Sequence, residues 1–154
     1  MHNRGALLTG SDIVSLHTPL TSETRHMMTD ETFAQMKRDA IPINTGRGGL
    51  VDLDALTRAL QSGQIAAAGL DVLEHEPPAP DSALMTAWRA PYSTIRDRLV
   101  LSPHAAFYSP SSLIDLRRKS AATALGYLQT GCSRDCVNLD SLDREAAACR
   151  ARSS

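Results

Sequence analysis

Cysteine is scarce in this chain, with three residues, Cys132, Cys136 and Cys149, all in its last fifth. An odd number, with no His or second Cys pair at zinc spacing, excludes a disulfide framework and a metal site, leaving free thiols in a reducing compartment. Charge of one sign is also lacking. A formal net charge of −1 with 21% charged residues omits the basic excess that phosphate backbones demand, which excludes direct nucleic-acid binding. No apolar run approaches the roughly 18 residues that cross a bilayer, and Met1-His2-Asn3-Arg4-Gly5 has no apolar signal core. The expected location is the cytoplasm, with the nucleus open, and no membrane partner. There is no internal repeat or low-complexity tract. Polar, Ala-rich Ser141 to Ser154 is expected to fray or form a loose helix.

What is present suits one ordinary domain, since 154 residues exceed the roughly 100–150 at which folded domains cluster. Ile13-Val14-Ser15-Leu16 is a short apolar run halted by His17-Thr18-Pro19, and it reads as a buried strand. Thr29 caps a helix through about Lys37, with Asp30 and Glu31 in its first turn and Phe33 and Met36 on one face. A second strand covers Ala40 to Asn44, although Pro42 is awkward inside a central strand. Asp52 caps the next helix, where Leu53, Leu56, Ala59 and Leu60 fall at helical spacing until Gly63 stops it. Strand three runs from Ile65 to Leu70, its small residues suiting close helices on both faces. A Pro-rich loop from Glu76 to about Asp97 leads to a fourth strand, Leu99-Val100-Leu101. The last helix starts at Ser109, with Pro110 at its first position, and runs to about Leu128 with a broad apolar face. Alternating strands and helices with short connections imply parallel pairing and right-handed crossovers, hence a doubly wound α/β sheet whose ligands sit beyond the carboxyl ends of the strands.

Three stretches lie on that edge: Asn44-Thr45-Gly46-Arg47-Gly48-Gly49-Leu50-Val51-Asp52, Asp71-Val72-Leu73-Glu74-His75-Glu76-Pro77 and Ser102-Pro103-His104-Ala105-Ala106. They supply an Arg, a Glu and a His in fixed order. Arg grips a carboxylate bidentately and stays charged, and His titrates near working pH beside a carboxylate that stabilises its protonated form. Singly, each has a plain reading: a surface turn Arg, a solvated loop Glu, a satisfied structural His. Their joint order, with Asp71 ahead of Glu76, resembles the D-isomer-specific 2-hydroxyacid dehydrogenases over about residues 11–138. Pro103-His104-Ala105-Ala106-Phe107-Tyr108-Ser109 is most similar to the branch containing the C-terminal binding proteins, NAD-sensing transcriptional corepressors.

The resemblance implies a partial, Rossmann-like NAD-binding domain (1–108), a crossing helix (109–131) that would pack on a missing substrate domain, and a poorly ordered tail (132–154). It assigns catalysis to Arg47 (substrate carboxylate), His104 (general acid/base) and Glu76 (its partner). It places the cofactor NAD beside Thr18, Pro19 and Thr24, along Thr45, Gly46 and Arg47, near Asp71, and against His104, Ala105 and Ala106. The glycines at 46, 48 and 49 would let backbone approach a ligand, although flexible turns share that composition. Phe107 hints at a 2-oxo acid bulkier or more apolar than pyruvate, or else packs the following helix. The extra segment around Trp88 to Arg98 receives no function.

The sequence has no G-x-G-x-x-G and no acidic residue placed after one, so most of the binding energy for NAD is expected to be absent from this chain. A free first-strand edge and an exposed apolar last helix favour a homo-oligomer. Three readings stand: the C-terminal portion of an NAD-dependent oxidoreductase acting on a small 2-hydroxy or 2-oxo acid, a corepressor-like interaction protein governed by the dinucleotide, and an inactive truncated fragment.

Overall fold

The structure is a computed structural model and describes residues 4–131. The chain divides into two compact units after Ala106. The expectations for residues 132–154, including all three cysteines, lie outside the described residues.

In the first unit the order is α1 (Arg4–Gly10), β1 (Ile13–Leu16), α2 (Asp30–Gln35), β2 (Ile41–Asn44), a 3₁₀ turn at Gly48–Leu50, α3 (Leu53–Ser62), β3 (Ala68–Leu70), α4 (Ala83–Arg89) and β4 (Leu99–Leu101). The four strands pair in parallel in the order β1-β2-β3-β4, with Ile13 beside Ile41, Ile43 beside Gly69 and Ala68 beside Leu99. Right-handed crossovers that always step in the same direction put every intervening helix on one face of the sheet. Leu8, Phe33, Leu56, Leu60 and Leu84 accordingly share a single core with Val14, Leu16, Ala68, Leu70 and Leu99. The strand residues of opposite parity face the other way, and Ile13 and Val100 are 64% and 70% exposed. The fold is thus the parallel half of a doubly wound sheet. Helices on both faces, expected around strand three, are not found within this unit. Gly69 is small for a different reason, because a Cβ there would lie 2.9 Å from Ile43 Cδ1 on the adjacent strand.

Local chemistry explains most boundaries. The Asp52 carboxylate accepts from the backbone N–H groups of Asp54 (3.0 Å) and Ala55 (3.1 Å), satisfying two orphan donors of α3. Gly63 closes that helix at φ +70°, where an L side chain is strained. Helix α2 stops at Gln35, short of Lys37, because Met36 turns extended and enters the core at 4% exposure. Pro42 is tolerated in β2 because alternate residues of a parallel strand bond to opposite neighbours. Ile41 N–H donates to Asp12 O on the β1 side at 2.9 Å, and pairing with β3 begins only at Ile43. The missing donor of Pro42 therefore points to the β3 side, one residue ahead of the registered β2–β3 ladder. Strand β3 is shorter than expected and excludes Ile65, which is fully buried ahead of it.

Two helices escaped the sequence reading. One is α1, ahead of the first strand. The other is α4, inside the stretch read as a Pro-rich loop, where Leu84 and Met85 are buried and Trp88 packs against the core. Residues 90–98 then bring Arg98 back across the fold. Its guanidinium donates to the carbonyls of Leu60 (2.6 Å) and Ala66 (3.4 Å), and its Nε to Thr94 O (2.7 Å). A cation at the last carbonyls of α3 is favourably placed against that helix's dipole. The extra segment therefore has a structural role.

The second unit contains α5 (Pro110–Thr130). Ser109 accepts from Ser112 N–H at 3.0 Å, Pro110 opens the helix, and Gly131 ends it at φ +70°. No residue of α5 is buried, and Ile114, Leu116 and Leu128 are exposed. Among the described residues no helix is long and apolar enough to cross a membrane.

Arg98→Ala removes hydrogen bonds from charged donor to carbonyl and is expected to lower unfolding free energy by about 1–2 kcal/mol. Urea denaturation should show the midpoint falling with the slope unchanged.

Candidate functional site

The site grows from the ends of β3 and β4. Leu70 and Leu101 are the last residues of neighbouring strands, so Asp71 and Ser102 emerge side by side. Asp71 is 5% exposed, and its Oδ1 accepts from Ser102 Oγ (2.5 Å) and Ala105 N–H (2.8 Å) while Oδ2 accepts from Ala106 N–H (2.8 Å). Its backbone carbonyl accepts from His104 N–H at 2.9 Å. Burial alone would raise the Asp71 carboxyl, but donation by Ser102, Ala106 and Ala105, helped by the charge of His104, holds it below the ordinary carboxylate range. The buried carboxylate fixes the whole 102–106 loop, in which His104 sits at φ +51°.

That backbone turn presents the imidazole to Glu76. Glu76 folds back so that Oε1 accepts from Leu73 N–H (2.9 Å), and Oε2 lies 2.8 Å from His104 Nδ1. The His104 contact lowers the Glu76 carboxyl, and the Leu73 amide adds to the effect. An ionised carboxylate only accepts, so Nδ1 carries the proton of this bond and the chemistry of the ring is directed through Nε2. The two side chains are 38% and 48% exposed, open enough to meet a ligand. A cavity of about 440 Å³ opens beside the pair, walled chiefly by Pro77, Met85, Trp88 and Leu101.

Arg47 stands at the end of β2, the neighbouring strand. Its Nη1 donates to the Gly46 carbonyl at 2.9 Å, so the guanidinium is not gathered into the Glu76–His104 pair. Buried Asn44 shapes its turn, accepting from Gly46 N–H (3.0 Å) and donating to Arg47 O (2.9 Å). The glycines serve the chain's own packing. A Cβ on Gly48 would lie 2.0 Å from the Leu73 carbonyl carbon, and one on Gly49 would lie 3.1 Å from Leu20 Cδ2.

The expected cofactor contacts all fall on the same carboxyl edge. Thr18, Pro19 and Thr45 are exposed there. Thr24 is turned inward, its Oγ1 donating to Pro19 O at 2.7 Å and accepting from Thr21 N–H at 2.8 Å. Ala105 and Ala106 are exposed, with their amides committed to Asp71. The edge presents small, uncharged side chains to a ligand. It does not fit the pyrophosphate, because the N-terminus of α2 already carries Asp30 and Glu31, and that of α3 carries Asp52 and Asp54. The sequence reading missed Asn44 and Ser102, both inside stretches it singled out, and it also missed Arg25, His26 and Glu74, which link separate loops.

The family model described as "D-isomer specific 2-hydroxyacid dehydrogenase, NAD binding domain" matches residues 1–106. A glyoxylate reductase of Korarchaeum cryptofilum is 51% identical over 100 residues, covering 65% of this chain and 27% of that protein. One from Aeropyrum pernix is 41% identical over 132 residues, covering 86% and 37%. The chain therefore spans about a third of the length of the curated relatives it matches. Among solved structures, the NAD complex of a D-isomer specific 2-hydroxyacid dehydrogenase from Lactobacillus delbrueckii ssp. bulgaricus superposes with TM-score 0.69 at 36% identity, covering 86% of this chain and 42% of that one. A D-lactate dehydrogenase from Aquifex aeolicus, complexed with NAD and lactic acid, gives 0.71 at 33%, covering 82% and 40%.

Because Asp71 is depressed in the folded state, it contributes stability that is complete above the ordinary carboxylate value near 4 and is lost as pH falls through its lower folded value. Asp71→Ala orphans three donors and is expected to cost roughly 3 kcal/mol at pH 7. The loss should shrink as pH drops below about 4, which chemical denaturation at stepped pH would read. A cost that stayed constant with pH would show that the carboxylate's charge is not what holds the loop.

Proposed function

The chain belongs to the D-isomer-specific 2-hydroxyacid dehydrogenase family, and from that premise we propose that it supplies the proton-transfer and carboxylate-binding part of an NAD-dependent oxidoreductase acting on the CH–OH group of a 2-hydroxy acid. The observation that carries this reading is the 2.8 Å contact between His104 Nδ1 and Glu76 at the carboxyl edge of a parallel sheet. A general acid needs one ring nitrogen held and the other directed at substrate, with a carboxylate to stabilise the imidazolium, and this pair provides that arrangement.

A bound nicotinamide would supply the hydride exchanged at C2 between the 2-oxo acid and the alcohol. In the reductive direction His104, protonated, gives its Nε2 proton to the carbonyl oxygen as C2 gains hydride, leaving a 2-hydroxy acid and neutral imidazole. Glu76 keeps its charge and holds the ring. Arg47 turns from the Gly46 carbonyl to grip the substrate carboxylate with two N–H groups. Thr18, Pro19, Thr45, Ala105 and Ala106 lie where the nicotinamide end would rest.

Several finer features join the same reading. No helix that could cross a membrane is found among the described residues, and the charge balance is near neutral, which favour a cytoplasmic protein without nucleic-acid partners. Among the described residues β1 stands at the edge of the sheet, which favours self-association.

The test is NADH fluorescence titration and NADH oxidation by the purified chain over a panel of 2-oxo acids. His104→Ala is expected to slow turnover by about 10²–10⁴-fold. Arg47→Lys, which keeps charge but loses the fork, should raise KM for the acid more than it lowers kcat. Turnover equal to wild type in His104→Ala overturns the assignment of the acid.

A further inference from the structure

Glu74 lies two residues ahead of Glu76, and its side chain leaves its own loop entirely. Its carboxylate is gripped by two residues of the β1–α2 loop: Arg25 Nη2 donates to Oε1, and His26 Nε2 lies 3.0 Å from both oxygens. The Glu74 side chain is 17% exposed, against 55% for Arg25 and 37% for His26. His26 adopts φ +48°, a left-handed conformation costly for a residue with a Cβ, and its N–H is tied to Gly49 O at 2.8 Å. From below, Gly48 presses on the Leu73–Glu74 peptide with no room for a Cβ, 2.0 Å from Leu73 C and 2.4 Å from Glu74 N. The peptide is therefore fixed from two sides by loops that follow β1 and β2. Leu73 enters that peptide through its carbonyl, and one Cα away its own N–H, in the Val72–Leu73 peptide, is the donor that Glu76 accepts while it meets His104.

We propose that Glu74 is a positioning residue: held by Arg25 and His26, it sets the Leu73–Glu74 peptide so that Glu76 engages the Leu73 amide and His104 Nδ1 together. The strap also joins the loop bearing Thr18, Pro19 and Thr24 to the proton-carrying pair. Its importance for the reaction rests on the reading of His104 as the acid, whereas its geometry does not.

The readout is the Glu76 side-chain carboxyl, followed by ¹³C NMR against pH and identified with Glu76→Gln, together with hydrogen exchange at the Leu73 amide. Removing a neighbouring carboxylate acts on Glu76 in two opposed ways. Loss of a like charge by itself moves the Glu76 midpoint down, while loosening its hydrogen bonds to Leu73 and His104 moves it up. In Glu74→Ala the midpoint is expected to rise from its depressed value toward the ordinary carboxylate range, with faster Leu73 exchange. Glu74→Gln keeps an acceptor for Arg25 and His26 and should show no rise. His26→Asn tolerates the left-handed backbone but cuts one arm, and it should move Glu76 in the same upward direction, which serves if the alanine variant does not fold.

A midpoint unchanged or lowered in folded Glu74→Ala, or in His26→Asn, overturns the proposal, as does a rise in Glu74→Gln equal to that in Glu74→Ala. An ordinary structural staple would lower the melting temperature and leave Glu76 where it was. Wild-type chain without NADH oxidation, but with the expected Glu76 shifts, would sink the activity and leave the strap standing.

Discussion

The buried carboxylate of Asp71 is the interaction on which the site depends. It sits at the end of β3 and accepts from the side chain of Ser102 and the amides of Ala105 and Ala106, so the end of one strand dictates the course of the chain leaving the next. A buried carboxylate is tolerable only when its oxygens are satisfied, and here the satisfying groups are the loop itself. Release of that loop would leave the charge buried and unpaired. His104 owes its place, and its φ of +51°, to this exchange.

Around that anchor the loops after β1, β2 and β3 are locked to one another. Gly48 permits backbone to touch backbone at Leu73, Asn44 ties the turn that carries Arg47, and Glu74 reaches the β1 loop. Parallel strands in sequential order deliver all of these loops to a single edge without long connections, while α1 to α4 occupy one face below. The scaffold holds Glu76 against His104, and the Arg47 guanidinium rests on its own turn.

The sequence made legible whatever depends on neighbours a few residues apart. Asp52 and Gly63 framed α3, Ser109, Pro110 and Gly131 framed α5, and the apolar runs at Ile13–Leu16 and Leu99–Leu101 marked the outer strands. Helix α4 was hidden because Pro77, Pro78 and Pro80 spell a loop, and because so short a helix draws its stability from burying Leu84 and Met85 rather than from local propensity. Strand β3 was overextended because an Ala-rich run carries little period. The motif order pointed to Arg47, Glu76 and His104, yet the engagement of Asp71 with Ser102, and of Glu74 with His26, joins residues 31 and 48 positions apart, where no local pattern speaks.

The open face of the sheet in the first unit bears on thermodynamics as well as assembly. A parallel sheet clothed on one side transfers less apolar area out of water on folding than its length suggests, and the heat-capacity increment of unfolding scales with that area. A smaller increment makes a stability curve shallower and broader, so the open face flattens the curve of this unit relative to that of a sheet clothed on both sides.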